Sequence, residues 1–178
     1  MLELVLAPDP VYKTICTPVT HVDDAVRATL SEMMDILRSE HAMGIGAPMV
    51  GLTQRLVTID LEDESGHHIL KMVNPVITKK SVQLRTTEEA SVSFLGISAP
   101  VTRPAEITVE YLDENGEKKS LDASGLLAVC IQHEMDYLDG KTIIDHQPPV
   151  KRDMLKRKME KAKRNWHPHV HGAHCNHG

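Results

Sequence analysis

The sequence predicts an α+β fold, on three observations. Apolar residues recur at helical spacing near the start of the chain. Runs rich in Val, Ile and Thr, bounded by turn residues, fill the middle. A late stretch is apolar on nearly every side and reads as a buried helix, and a basic helical segment follows it. Helices set apart from strands in this way argue against alternating βαβ units. At 178 residues the chain suits one domain with a substantial core.

Taken in order, residues 2–7 form a short apolar run that ends at Pro8-Asp9-Pro10, an extended segment entering a turn. Asp23 or Asp24 caps a helix predicted to reach about Glu40, with Val26, Leu30, Met33, Met34 and Leu37 on its buried face. A loop follows at residues 44–48. Residues 55–61 read as a strand, residues 68–81 as two short strands around Asn74-Pro75, and residues 82–93 as another. Residues 106–112 form a strand, Asp113-Glu114-Asn115-Gly116 a hairpin turn, and residues 118–121 the return. Ala123-Ser124 opens the apolar helix, which carries Leu126, Leu127, Val129, Cys130, Met135 and Leu138 and ends at Asp139-Gly140. A short strand at residues 142–144 and a last helix at residues 151–164 complete the reading.

Composition narrows the function classes. Aromatic residues are 3% of the chain, too few for a base-stacking platform, and a net charge of -5 gives no global attraction to nucleic acid or anionic lipid. Sequence-specific nucleic-acid binding and membrane association are therefore not expected. Cys16, Cys130 and Cys175 are odd in number and lack CxxC spacing, which favours a reducing, cytoplasmic setting over a disulfide framework. The first residues lack a basic region and do not read as a signal peptide.

The stretch from Cys130 to Gly140 carries the chemistry. His133-Glu134 is followed by Tyr137, and positions i and i+4 share one helix face. A His at 137 would complete the H-E-x-x-H metal motif. Three stretches belong together: Gly44-Ile45-Gly46-Ala47-Pro48-Met49, Glu88-Glu89-Ala90-Ser91-Val92-Ser93, and Gln132-His133-Glu134-Met135-Asp136-Tyr137. In order and spacing they resemble the motifs of peptide deformylases, roughly G-I-G-L-A-A-P-Q, E-G-C-L-S and Q-H-E-M-D-H. The similarity extends over residues 1–165, taken as one domain, with a His-rich tail at residues 166–178 expected to be disordered.

The resemblance implies removal of the formyl group from the N-terminal methionine of nascent chains. It implies a divalent metal, iron or zinc, held by one Cys and two His, with a catalytic Glu acting on metal-bound water. It implies mixed β-sheets around a central motif helix, with N- and C-terminal helices. Carried over by position, His133 remains a metal-ligand position and Glu134 the catalytic carboxylate. Ser91 stands for the Cys ligand, Tyr137 for the second His, and Met49 for a Gln that holds the formyl oxygen; the first motif is two residues short. Gly44, Ile45, Gly46, Leu126, Val129 and Cys130 match positions that shape the substrate pocket, and the Val92 backbone N–H matches the remaining oxygen donor.

A Ser hydroxyl has no accessible anionic form, and a Tyr oxygen lies beyond the imidazole position, so weak or absent metal is expected. Without metal, Glu134 has no acidified water to deprotonate; in an apolar cleft its pKa should rise, and Tyr137 or Gln132 are candidate partners. Glu88, Glu89 and Arg103 read as an ion pair supporting the loop. Residues 151–164 hold eight basic side chains (Lys151, Arg152, Lys156, Arg157, Lys158, Lys161, Lys163, Arg164) against Asp153 and Glu160, a net +6 that leaves -11 for the rest. The resemblance makes this helix a candidate ribosome contact. His167, His169, His171, His174, Cys175 and His177 make the tail a candidate chelating strand. The reading reached is a deformylase-like protein with impaired or absent activity that binds N-terminal peptides. The alternatives are an active amidohydrolase with a rewired site and a non-enzymatic ribosome-, peptide- or metal-binding protein.

Overall fold

The computed structural model describes residues 1–167 and has the expected helix–strands–helix order. Helix α1 (Asp24–Ser39) begins where the Asp23 carboxylate accepts the Val26 amide at 2.9 Å. That bond satisfies one of the orphan donors of the first turn. Its buried face is Val26, Leu30, Met33, Met34 and Leu37, as the spacing required.

Seven strands follow: β1 (Gly44–Gly46), β2 (Leu56–Asp63), β3 (Gly66–Lys80), β4 (Leu84–Glu89), β5 (Ala99–Pro104), β6 (Glu106–Leu112) and β7 (Lys118–Ser124). They make a five-stranded sheet in the order β1-β2-β3-β6-β7 and a two-stranded sheet of β4 and β5. All strand pairs are antiparallel.

The expected loop at residues 44–48 is instead strand β1, paired with β2 from Gly44↔Ile59 to Gly46↔Val57, followed by a 3₁₀ turn. Two glycines concealed its strand character. The two short strands expected around Asn74-Pro75 are one strand of 15 residues. Its register against β6 shifts between Val73 and Val76, so the irregularity absorbs a proline that cannot donate to the ladder. Asn74 sits there at φ 52 and holds Val19 through two hydrogen bonds of 2.8 Å. The strand expected over residues 82–93 stops at Glu89, and β5 is an additional strand where the sequence predicts none. The expected strand at residues 142–144 is a 3₁₀ turn, Ile143–His146, closed by a capping box between Thr142 and Asp145.

Helix α2 (Gly125–Leu138) lies between two apolar clusters. Tyr137 packs into the cluster built on α1, whereas Leu127, Ile131 and Leu138 pack into the one built on β2, β3 and β6. A helix with core on both sides needs no polar face, which explains its composition. Helix α3 (Pro149–Arg164) buries only Leu155 and Met159 and leaves its basic face in solvent. Among the described residues no helix is long and apolar enough to cross a membrane. The proposed tail ligands His169, His171, His174, Cys175 and His177 lie outside the described residues.

Candidate functional site

Helix α2 carries His133 and Glu134 to the floor of a cleft of about 500 Å³, with Tyr137 one turn on along the same helix. Gly44 lines one wall; Glu88, Glu89, Ala90, Ser91 and Val92 line another; Met49, Leu126, Val129 and Cys130 add apolar surface. Gly44 is required by close approach. A Cβ there would fall 2.8 Å from Glu134 Cγ and 3.0 Å from Cys130 Sγ. Two expected pocket positions do not line the cleft. Ile45 is buried in the core, because side chains alternate along β1. Gly46 packs directly against helix α2, where a Cβ would meet the Glu134 carbonyl at 3.1 Å and the Tyr137 ring at 3.4 Å.

Tyr137 is fully buried and also stands off the cleft. Its ring stacks on Phe94 at 5.9 Å and meets Tyr12 edge-on at 5.6 Å. This packing directs its hydroxyl to His133 Nε2 at 2.8 Å. The other ring nitrogen, Nδ1, lies 2.8 Å from Glu89 Oε1. Arg103 donates to both Glu89 oxygens, at 2.8 Å each, and to Asp136 at 2.8 Å. His146 also reaches Asp136 at 2.8 Å.

Protonation follows from these contacts. Burial opposes charge on Glu89, yet its hydrogen bonds to Arg103 and His133 outweigh burial and hold the carboxyl below its usual range. An ionised Glu89 only accepts, so His133 Nδ1 donates to it. Burial also opposes charge on His133, but the Glu89 hydrogen bond and the nearby Glu134 and Glu89 carboxylates raise its pKa. Neutral His133 accepts the Tyr137 proton at Nε2; protonated His133 donates there. Burial, reinforced by the Glu134 charge, pushes the Tyr137 phenol well up, and Ser91 beside it offsets part of that shift.

Glu134 differs. It is 4% exposed, and its Oε2 has no hydrogen-bond partner. Burial raises its pKa to about 7, with His133 and the Gly46 amide offsetting part of the effect. Neither suggested partner holds it: Tyr137 goes to His133, and Gln132 donates to the Pro104 and Ala128 carbonyls. Burial keeps Cys130 a thiol. The expected ion pair forms between Glu89 and Arg103, while Glu88 accepts from Ser98 at 2.9 Å.

A divalent cation does not fit this donor set. In either protonation state His133 Nε2 lacks a free lone pair, Ser91 offers a neutral hydroxyl, and the Tyr137 phenol stays protonated. Among the described residues no three His, Cys, Asp or Glu side chains are grouped to hold a metal. The link from Glu89 through His133 to Tyr137 escaped the sequence reading. Its only advance signal was the proximity of Glu89 to Ser91 within the second motif.

Comparison with known proteins agrees with the fold and the motifs. The model of the family described as polypeptide deformylase matches residues 1–153. A protein of Rickettsia conorii described as peptide deformylase-like is 41% identical over 175 residues, covering 98% of this chain and 96% of the relative. A peptide deformylase of Pseudoalteromonas translucida is 40% identical over 160 residues, covering 90% and 95%. The crystal structure of a peptide deformylase from Legionella pneumophila superposes with a TM-score of 0.86 at 32% identity, covering 93% and 96%. Motifs, fold and full-length similarity coincide, and the chain belongs to the polypeptide deformylase family.

Proposed function

We propose that this member of the family binds N-terminal peptide segments in its cleft and has little or no metal-dependent deformylase activity. The observation that carries the reading is the engagement of both His133 ring nitrogens, one with Glu89 and one with Tyr137. A metal would have to displace a buried hydrogen bond and would find no thiolate and no second imidazole. Met49 in place of the Gln removes a side-chain donor to a developing oxyanion, a loss of about 3 kcal/mol in transition-state stabilisation. Support for peptide binding comes from the apolar cleft walls of Met49, Leu126, Val129 and Cys130. Gly44 on β1 and residues 85, 87, 88 and 89 on β4 line the cleft, and both strands are sheet edges able to pair with an extended peptide. The basic face of α3 is offered as an electrostatic contact with the ribosome.

The test combines three measurements on the purified full-length protein: metal content by mass spectrometry, turnover of a formyl-Met peptide with added zinc or iron(II), and calorimetric titration with N-terminal peptides. The expected result is peptide binding with neither stoichiometric metal at the cleft nor turnover. Turnover together with stoichiometric metal would establish an active enzyme with a rewired site. Absence of peptide binding would remove the binding reading.

A further inference from the structure

We propose that Ser91 is the nucleophile of a metal-independent acyl transfer from apolar carboxylic esters, with Tyr137, His133 and Glu89 relaying its proton. This goes beyond the peptide-binding reading and stands or falls apart from it.

Two of the replaced positions meet. The Ser91 hydroxyl stands beside the Tyr137 phenol, and the Tyr137 hydroxyl lies 2.8 Å from His133 Nε2. His133 Nδ1 lies 2.8 Å from Glu89 Oε1, and Arg103 holds both Glu89 oxygens at 2.8 Å. Arg103 thus fixes Glu89, Glu89 fixes the proton on Nδ1, and neutral His133 presents Nε2 as the acceptor. A nucleophile, a base and a group that orients the base are the parts of an acyl-transfer site, here with a phenol set between the first two. Tyr137, His133 and Glu89 are buried, whereas Ser91 is half-buried and lines the cleft. The Ser93 amide donates to Ser91 Oγ at 3.2 Å, which leaves the Ser91 O–H free to turn toward Tyr137. Such catalytic contacts are often looser in a free site and tighten when substrate binds.

In the step, Ser91 Oγ bonds to the ester carbonyl carbon. Its proton moves to the Tyr137 oxygen as the Tyr137 proton moves to His133 Nε2, and Glu89 balances the imidazolium charge. The Val92 amide, which has no backbone acceptor among the described residues, is the donor available to the oxyanion. The bond from carbon to the ester oxygen then breaks, and the departing alcohol takes the proton back along the same chain. Water, giving up a proton by that route, attacks acyl-Ser91, releases the carboxylic acid and restores the hydroxyl. Met49 supplies no second oxyanion donor, which favours esters, with their weakly basic leaving groups, over amides. The apolar walls from Met49, Leu126, Val129 and Cys130 suit an uncharged substrate.

The test treats the full-length protein, in EDTA, with a fluorophosphonate, from which a serine oxygen displaces fluoride, and with p-nitrophenyl acetate. The expected result is a phosphonyl group mapped to Ser91 by peptide mass spectrometry, together with steady release of p-nitrophenolate. Ser91→Ala should abolish both. Tyr137→Phe should lower kcat by about a hundredfold or more, the range of a lost proton-transfer group, with KM little changed. Wild-type protein that carries no label, or is labelled away from Ser91, overturns the nucleophile, and this arm needs no variant. An unchanged kcat in Tyr137→Phe overturns the relay, and turnover that disappears in EDTA overturns metal independence. Peptide binding by calorimetry in protein that takes no label removes this proposal and leaves the peptide-binding reading standing.

Discussion

Tyr137→Phe isolates the contact that occupies His133 Nε2. The substitution keeps the ring, which stacks on Phe94 at 5.9 Å and meets Tyr12 at 5.6 Å, and removes only the hydroxyl. That hydroxyl lies 2.8 Å from His133 Nε2 on a side chain with no solvent exposure. Its loss leaves a buried imidazole nitrogen without a protein partner, at a cost of about 1–3 kcal/mol. Urea unfolding should show a lower midpoint with an unchanged slope. For a chain of this size, a loss of about 2 kcal/mol lowers Tm by roughly 4–8 °C. The wild-type midpoint should not move with chelator or added zinc, because a cation that bound this site would raise stability by mass action. A Tyr137→Phe loss below about 0.5 kcal/mol would mean that the hydroxyl does not support His133. A chelator-sensitive wild-type midpoint in a chain lacking residues 166–178 would mean that metal does.

The double change Ser91→Cys, Tyr137→His supplies the missing thiolate and imidazole; it should bind about one zinc per chain, read by mass spectrometry. Because Met49 remains, turnover should stay low even with metal bound. Glu134 links stability to pH. Its pKa is raised in the fold from 4.5 to about 7, so between those values the folded state keeps a proton that the unfolded chain has lost. Its contribution therefore weakens as pH rises through that window, by up to about 3 kcal/mol. Relative to wild type, Glu134→Gln should gain more stability at pH 8 than at pH 5 in urea unfolding, and equal changes at both pH values would exclude the shift. Arg103→Met strips Glu89 of its bidentate partner at a position only 5% exposed. The expected loss is about 3–5 kcal/mol by the same assay, with partial recovery when Glu89→Gln is added.

Local pattern carried much of the fold. The 3.6-residue spacing in α1 named its buried face, and the nearly all-apolar α2 announced a helix with core on both sides. Pattern failed where a residue's role depended on distant partners. Strand β5 went unseen because Arg103 occupies an inward position, and an inward Arg is tolerable only with Glu89 and Asp136 already in place. The break read at Asn74-Pro75 was real in backbone terms, but β6 bridges it. The turn at residues 143–146 followed its Thr142–Asp145 capping box rather than its β-branched composition.

What the sequence determined was membership: three spaced motifs, and the replacements at Ser91, Tyr137 and Met49, are matters of residue identity in order. What only the tertiary structure decided was where those side chains point. A residue's type states its donors and acceptors, but its partner depends on which groups the folded chain brings within about 3 Å. Glu89 reaches His133 across 44 positions of sequence, and Tyr137 reaches it because Tyr12 and Phe94 fix its ring. The same closure leaves Glu134 Oε2 buried without a hydrogen-bond partner.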